Sequence, residues 1–325
     1  MDSIIKNEDL NVTISSFGAE ILSIKDKNKD TSNNIVFAKA KTKNQGNYHT
    51  GHLDNRLNRG AHNIEYLWQG DEKYWTGRSP VLFPYVGRLT EGKYKLDSKI
   101  YSMRIHGLAQ YYEHQVVDKK ENSITYEFKS NDETLKQYPR EFVLRVTYSV
   151  IENRLFVQYN VQNLGMNTMY FGIGGHPGFN VPIENDKKFE DYFIRFKKSS
   201  NIRKVCFSDT CFPTGKYEDF ELNEGGKLPL RHDLFDNDAI VLTDMGDEVT
   251  LECYNSPYKV KVRFENIPYL GLWHRPKTDA PYVCIEPWCT LPSREGIIED
   301  LETQPGLIKL ESKGSYDIKW SMEFI

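Results

Sequence analysis

The chain is 325 residues long and carries 42 Lys and Arg against 46 Asp and Glu, a formal net charge of −4. That balance offers no basic surplus to drive binding to nucleic acid or to an anionic membrane surface. With 20 Tyr, 17 Phe and 5 Trp there are rings enough for a sizeable core and for a cleft, and the length fits two ordinary domains or one large β domain.

The first residues, Met1-Asp2-Ser3-Ile4-Ile5-Lys6-Asn7-Glu8, lack the basic region and apolar run of a signal peptide. No apolar stretch approaches the roughly 18 residues of a spanning helix, so a cytoplasmic protein without membrane attachment is expected. Residues 40–63 are polar, rich in Asn and Gly and poor in core formers, as in a long exposed loop. Its His49, His52 and His62 read as solvated residues rather than metal ligands, because no Cys is near and Asp54 alone completes no ligand set. Farther on, apolar alternation dominates: Ile124, Tyr126 and Phe128; Phe142, Leu144, Val146, Tyr148 and Val150; Leu155, Val157, Tyr159 and Val161; then Tyr258, Val260, Val262 and Phe264. A period of two puts each set on one face of a strand. Glu152-Asn153-Arg154 reads as a hairpin turn that makes the strands at 142–150 and 155–162 neighbours. No 3.6-residue pattern runs past about three turns, and strand–helix–strand alternation is missing. The expectation is an all-β fold of mainly antiparallel strands with little helix: a single large sandwich whose sites are built from loops and strand ends.

Cys206, Cys211, Cys253, Cys284 and Cys289 are an odd number, which fits reduced thiols better than a disulfide framework. The C-x4-C spacings at Cys206/Cys211 and Cys284/Cys289 are not a usual zinc pattern, and no metal is expected.

Two segments invite chemistry. His176 sits in Phe171-Gly172-Ile173-Gly174-Gly175-His176-Pro177-Gly178-Phe179-Asn180. Glycines so dense permit tight or left-handed turns and close approach, which fits a ligand beside the imidazole; a turn with a structurally bonded His fits equally well. They form no phosphate loop, since no Lys-Ser/Thr follows. Glu286, in Tyr282-Val283-Cys284-Ile285-Glu286-Pro287-Trp288, is a carboxylate inside an apolar run. It is costly to bury unless hydrogen-bonded or functional, although an edge strand facing solvent would also accommodate it. Pro287 is expected to end the strand ladder directly after it. Trp273, in Gly271-Leu272-Trp273-His274, can stack on a sugar ring or fill a core. Arg88 follows the apolar run Val81-Leu82-Phe83, and His106 precedes Gly107; a guanidinium there can fork onto hydroxyls or a carboxylate. G-x-S-x-G, H-E-x-x-H and Walker sequences are absent.

Taken in order, Ser79-Pro80-Val81-Leu82-Phe83-Pro84-Tyr85-Val86-Gly87-Arg88-Leu89, His106-Gly107, Gly174-Gly175-His176-Pro177-Gly178-Phe179-Asn180 and Cys284-Ile285-Glu286-Pro287-Trp288 resemble the aldose 1-epimerases, or mutarotases, and within them the LacX-like branch. The likeness runs from Ile14-Ser15-Ser16-Phe17-Gly18-Ala19-Glu20 to Gly314-Ser315-Tyr316-Asp317-Ile318-Lys319-Trp320, with about 36–63 as an insertion in one domain spanning 1–325. The resemblance implies a galactose-mutarotase-like β-supersandwich, needing no cofactor and acting on C1 of a hexose such as galactose or glucose. It implies Glu286 as general base on the C1 hydroxyl and His176 as general acid on the ring oxygen. It further implies Arg88, His106 and Asp238 as sugar-binding groups, with Asp236 close enough to compete with Asp238 for that role. The implied partner is a small-molecule sugar, bound by a monomer or homodimer.

Departures from the family pattern at Leu108, Gln110, Cys289 and Thr290 bear on the identity of the sugar. Two alternatives stand beside the free hexose. One is a hexose 6-phosphate, against which Gln110 in place of Arg weighs mildly; the other is a carbohydrate-binding or regulatory protein that has lost turnover.

Overall fold

Alternation in the sequence becomes two large antiparallel sheets. The structure, a computed structural model, describes residues 1–27, 64–198 and 200–325; the expected insertion at about 36–63, with its three histidines, lies outside them. One sheet has nine strands in the order Lys227–Pro229, Tyr192–Phe196, Glu248–Cys253, Lys259–Arg263, Ser315–Phe324, Arg154–Asn163, Phe142–Ile151, Ser123–Lys129 and Gln115–Lys119. Its centre is the expected hairpin: Arg154 pairs with Ile151 and Asn163 with Phe142, across a turn in which Glu152 has φ 51°.

The second sheet runs Pro213–Asp219, Arg203–Phe207, Ile240–Thr243, Tyr269–Trp273, Tyr282–Trp288, Gly174–Gly175 and Val81–Leu82, and Gly178–Asn180 also pairs with Tyr282–Trp288. One core joins the sheets: Leu144, Val146 and Val157 from the first pack in the same cluster as Leu270, Leu272, Val283 and Ile285 from the second. Each such side chain contributes about 1.5–3 kcal/mol by leaving water. Among the described residues the α-helix is confined to Asp132–Gln137, where Asn131 caps the N-terminus by accepting from the backbone of Glu133 and Thr134. No helix among them is long and apolar enough to cross a membrane. All five cysteines are free thiols.

Tyr282–Trp288 positions the site. It lies inside the second sheet and is buried along its whole length. Val283 and Ile285 enter the common core, so by the two-residue period Cys284, Glu286 and Trp288 project from the opposite face. Contrary to expectation, Pro287 does not end the ladder: it pairs with Leu270, and the strand continues to Trp288. Ile285 donates to Pro177 O (3.1 Å) and Cys289 to Ile173 O (2.9 Å). Pro287 shares their parity and lies opposite Gly175 in the same register, so its missing N–H leaves one position of the ladder unbonded between these two hydrogen bonds while the strand continues on both sides.

Candidate active site

Glu286 reaches a cleft of about 310 Å³ because nothing stands across from it. Its partner on the neighbouring strand is Gly271, flanked by Trp273 opposite Cys284 and Tyr269 opposite Trp288. A Cβ on Gly271 would come within 3.1 Å of Trp288 Cζ2 and 3.3 Å of Glu286 Cβ. The carboxylate is 1% exposed. Burial pushes its pKa well above the usual carboxylate range, opposed by the Trp288 indole N–H, which donates to Oε2 at 3.2 Å.

His176 Nε2 lies 3.2 Å from the same Oε2. The ring is 7% exposed, and burial holds its pKa down at about 4. Nδ1 has no partner among the described residues, which leaves Nε2 as the working atom. The surrounding glycines act through space rather than through left-handed turns, since none of Gly172, Gly174, Gly175 and Gly178 has positive φ. A Cβ at Gly175 would sit 2.4 Å from Trp320 Cζ2, and one at Gly174 would sit 2.8 Å from Pro287 O. The protein's own tryptophan and backbone occupy the room they leave, and the His176 turn is thereby pressed onto the sheet.

The other expected residues converge on the same cleft. His106 (φ 63°) and Gly87 hold each other: His106 N–H donates to Gly87 O at 2.9 Å, and Gly87 N–H donates to His106 Nδ1 at 3.1 Å. A ring nitrogen that accepts carries no proton, so neutral His106 is protonated on Nε2. Burial, then the nearby His176 and Arg88, holds its pKa well below the ordinary value. Arg88 follows directly on Gly87, and its Nη1 donates to Asp238 Oδ2 at 2.6 Å. Trp273 Nε1 donates to the other carboxylate oxygen at 2.8 Å. Burial works to raise the Asp238 pKa, but the Arg88 guanidinium, followed by the Cys211 thiol and the Trp273 indole, keeps it below the usual range. Asp236 is exposed and does not line the cleft.

Among the residues that shape the site and escaped the sequence reading, Trp75, Trp288 and Gly271 matter most to Glu286 and His176. The Trp75 ring lies over His176 with centroids 4.8 Å apart, Trp288 supports Glu286, and Gly271 opens the way to it. Only the strand register brings Gly271 opposite Glu286, so no local signal marks it. A larger depression of about 630 Å³ includes Arg154 and Arg263. Both arginines are tied to Glu323.

Among the described residues His176, Cys284 and Glu286 bring donor atoms within 4.8 Å of one another. Burial pushes the Cys284 thiol well above its ordinary range, a protonated state poorly suited to ligation. Cys289 belongs to the core on the other side of the strand, so Cys284 and Cys289 do not form a shared ligand pair.

Two imidazoles, a buried carboxylate and an arginine–aspartate–tryptophan cluster thus surround one small polar cleft. The sequence profile of the family described as Aldose 1-epimerase matches residues 55–294. The chain belongs to the aldose 1-epimerase family. It is 31% identical over 330 residues to the chromosomal protein LacX of Lactococcus lactis, covering 97% of each chain. Among solved structures, a galactose mutarotase related enzyme from Lactobacillus acidophilus superposes with a TM-score of 0.85 at 30% identity, covering 100% of this chain and 97% of that one. A galactose mutarotase-like protein from Lactobacillus casei gives 0.85 at 29% identity, with 100% of both chains covered. The galactose-mutarotase-like, mainly antiparallel fold expected from the sequence is therefore the fold observed.

Proposed function

We propose that this aldose 1-epimerase family member is an active mutarotase, interconverting the α and β anomers of a free hexose such as galactose or glucose. The observation that carries this reading is the 3.2 Å approach of His176 Nε2 to Glu286 Oε2 on the floor of a hydroxyl-binding cleft. Anomer exchange requires a proton to leave O1 as another arrives at O5. Both oxygens are bonded to the same carbon, so the acid and base must be close neighbours on one wall.

With one proton shared between them, the two groups can serve both halves of the reaction. As carboxylate and imidazolium, Glu286 takes the O1 proton while His176 delivers one to O5, and the C1–O5 bond breaks. The pair is then carboxylic acid and neutral imidazole, the form that burial favours. After rotation about C1–C2, His176 recovers the O5 proton as O5 attacks C1 from the other face, and Glu286 returns a proton to O1. Proton transfer completes the isomerisation without a redox step or a transferred group.

His106 presents Nε2–H to a sugar oxygen, while Arg88 and Asp238 offer donors and an acceptor to neighbouring hydroxyls. Trp273 and Trp75 supply apolar ring faces. The five free thiols support action in a reducing, cytoplasmic setting, and we read residues 1–325 as one domain.

Polarimetry of freshly dissolved α-glucose and α-galactose tests the proposal. The rotation should relax faster than in buffer alone, and Glu286→Gln should abolish the acceleration while leaving sugar binding measurable by calorimetry. Relaxation at the buffer rate for both sugars would refute it.

A further inference from the structure

A working imidazole is commonly held in place by a hydrogen bond at its second nitrogen. His106 follows that rule, since its Nδ1 accepts from Gly87 N–H at 3.1 Å. So do His114 and His274, whose ring nitrogens meet Ala109 O at 3.0 Å and Arg275 O at 2.8 Å. His176 departs from it: its Nδ1 is buried with no hydrogen-bond partner among the described residues. Something else must fix the ring plane that aims Nε2 at Glu286 Oε2.

Three aromatic rings surround the imidazole. His106 and Trp273 meet it nearly at right angles, at 87° and 82°, with centroids 5.4 and 5.7 Å away. Among the described residues Trp75 alone lies across its face, tilted by 31° at 4.8 Å. A ring laid on a face resists tipping of the plane, which an edge-on neighbour does less well.

The chain from Trp68 to Arg78 keeps the indole there. Both of its ends are bonded to Gly178, two residues beyond His176: Trp68 N–H donates to Gly178 O at 2.9 Å, and Gly178 N–H donates to Arg78 O at 2.8 Å. Inside the loop, Trp75 O accepts from Trp68 Nε1 at 2.8 Å and from Asp71 N–H at 3.0 Å. Two glycines leave room for the indole. A Cβ at Gly77 would meet Trp75 Cζ2 at 2.6 Å, and one at Gly178 would meet Cζ3 at 3.1 Å. Next to Trp75, Tyr74 OH donates to Asp279 Oδ1 at 2.7 Å, on the turn between Tyr269–Trp273 and Tyr282–Trp288. The loop is thus strapped to the His176 turn at both feet and to the second sheet at its tip.

We propose that Trp75 is the positioning residue of His176: its indole face holds the imidazole plane that turns Nε2 toward Glu286, in place of the hydrogen bond that Nδ1 lacks. This rests on the mutarotase reading and adds a residue to it. In this role Trp75 touches no reacting atom. It acts through the imidazole, by fixing its plane and by keeping water from its face.

Imidazole magnetic resonance and polarimetry together test this on the wild type, Trp75→Phe and Trp75→Leu, with His176→Asn serving to assign the His176 signals. In the wild type the His176 C–H protons should be shifted upfield by the indole, and the ring should stay neutral down to about pH 4. Glu286, Cys284, His106 and Asp238 also face the ring. All four remain in Trp75→Leu, so a ring that loses its upfield shift there and takes a proton near the ordinary value of about 6.5 reports water admitted by the missing indole. In that variant kcat should fall about 10²-fold, the cost of misplacing a reacting group by about 1 Å, with KM within about threefold. Trp75→Phe keeps an aromatic face and should hold kcat within about fivefold of the wild type. A wild-type His176 signal without the upfield shift, unchanged kcat in Trp75→Leu, or a rise in KM alone, which would make Trp75 a sugar contact, would overturn the proposal. So would a Trp75→Phe variant as slow as Trp75→Leu. If Trp75→Leu does not fold, the wild-type shift and the rate of Trp75→Phe decide. If no aldose is turned over, the mutarotase reading fails by itself, and the resonances of wild type and variants still show whether the indole holds the ring.

Discussion

His176 Nε2 and Glu286 Oε2 are 3.2 Å apart, and burial drives their proton affinities in opposite directions, upward for the carboxyl and downward for the imidazole. The pair therefore keeps one proton over a wide pH interval, and its apparent pKa values belong to both groups together. The proposed anomer exchange needs that one proton.

The pH dependence follows. As pH falls through about 4, where the His176 ring gains a proton while Glu286 keeps its own, the base is lost and kcat/KM falls. As pH rises past the elevated Glu286 value the pair is emptied, the acid is lost and the rate falls again. After subtraction of the buffer rate, the profile should be a broad bell with no break at the ordinary imidazole value near 6.5. An acid limb centred near 6.5 would contradict this assignment.

Glu286→Gln keeps the shape and the possibility of an indole contact but removes the base. We expect kcat to drop by about 10²–10⁴, the usual range for one acid–base group, with the sugar dissociation constant changed only a few-fold. Polarimetry and calorimetry on the same preparation separate the two effects.

Gly271→Val tests access rather than chemistry. A branched side chain suits a strand, yet it would project between Glu286 and Trp288, where even a Cβ meets neighbours at 3.1–3.3 Å. The folded protein should lose most of its kcat/KM while its far-UV spectrum stays unchanged. Retention of full activity would show that the sugar reaches Glu286 from another direction.

Trp273→Phe removes the N–H that holds Asp238 Oδ1 at 2.8 Å. A hydrogen bond to a charged group is worth about 1.5–3 kcal/mol, so KM should rise roughly 10- to 100-fold with little change in kcat. A fall in kcat at constant KM would assign Trp273 to the chemical step instead.

Gly175→Ala tests the packing of the His176 turn. The new methyl group would meet Trp320 at 2.4 Å with the whole turn pressed on the sheet behind it. Overpacking of this kind costs about 1–3 kcal/mol, and denaturant unfolding should register it as a lower midpoint at unchanged slope.

What the sequence reveals depends on how local each cause is. The strands at 142–150 and 155–162 are legible because alternation and the Glu152-Asn153 turn are encoded within twenty residues, and the observed register agrees with them. Glu286 and His176 stand out as polar groups in unfavourable surroundings, and Arg88 and His106 come from the order of motifs. The continuation of the strand through Pro287 depends on its pairing with Leu270 and on the flanking bonds to Pro177 and Ile173, relationships between segments that no single run of residues carries. For the same reason Gly271 and Trp75 read as ordinary residues, and the glycines around His176 read as turn formers rather than as room for Trp320. By sequence Asp238 is the better match and Asp236 competes with it; the 3₁₀ turn His232–Phe235 and the left-handed φ of 75° at Asp238 bring the later residue to Arg88.

The pairing of Gly271 with Glu286 also makes the proposed activity an assay of strand alignment. Were Tyr269–Trp273 displaced by one residue against Tyr282–Trp288, Leu270 or Leu272 would take the place opposite the carboxylate, and the side chains of the displaced strand would exchange faces. Such a molecule could keep nearly all its sheet content and yet have its proposed general base, Glu286, walled off. Specific activity, rather than circular dichroism, is thus the sensitive measure of whether a preparation has folded in register.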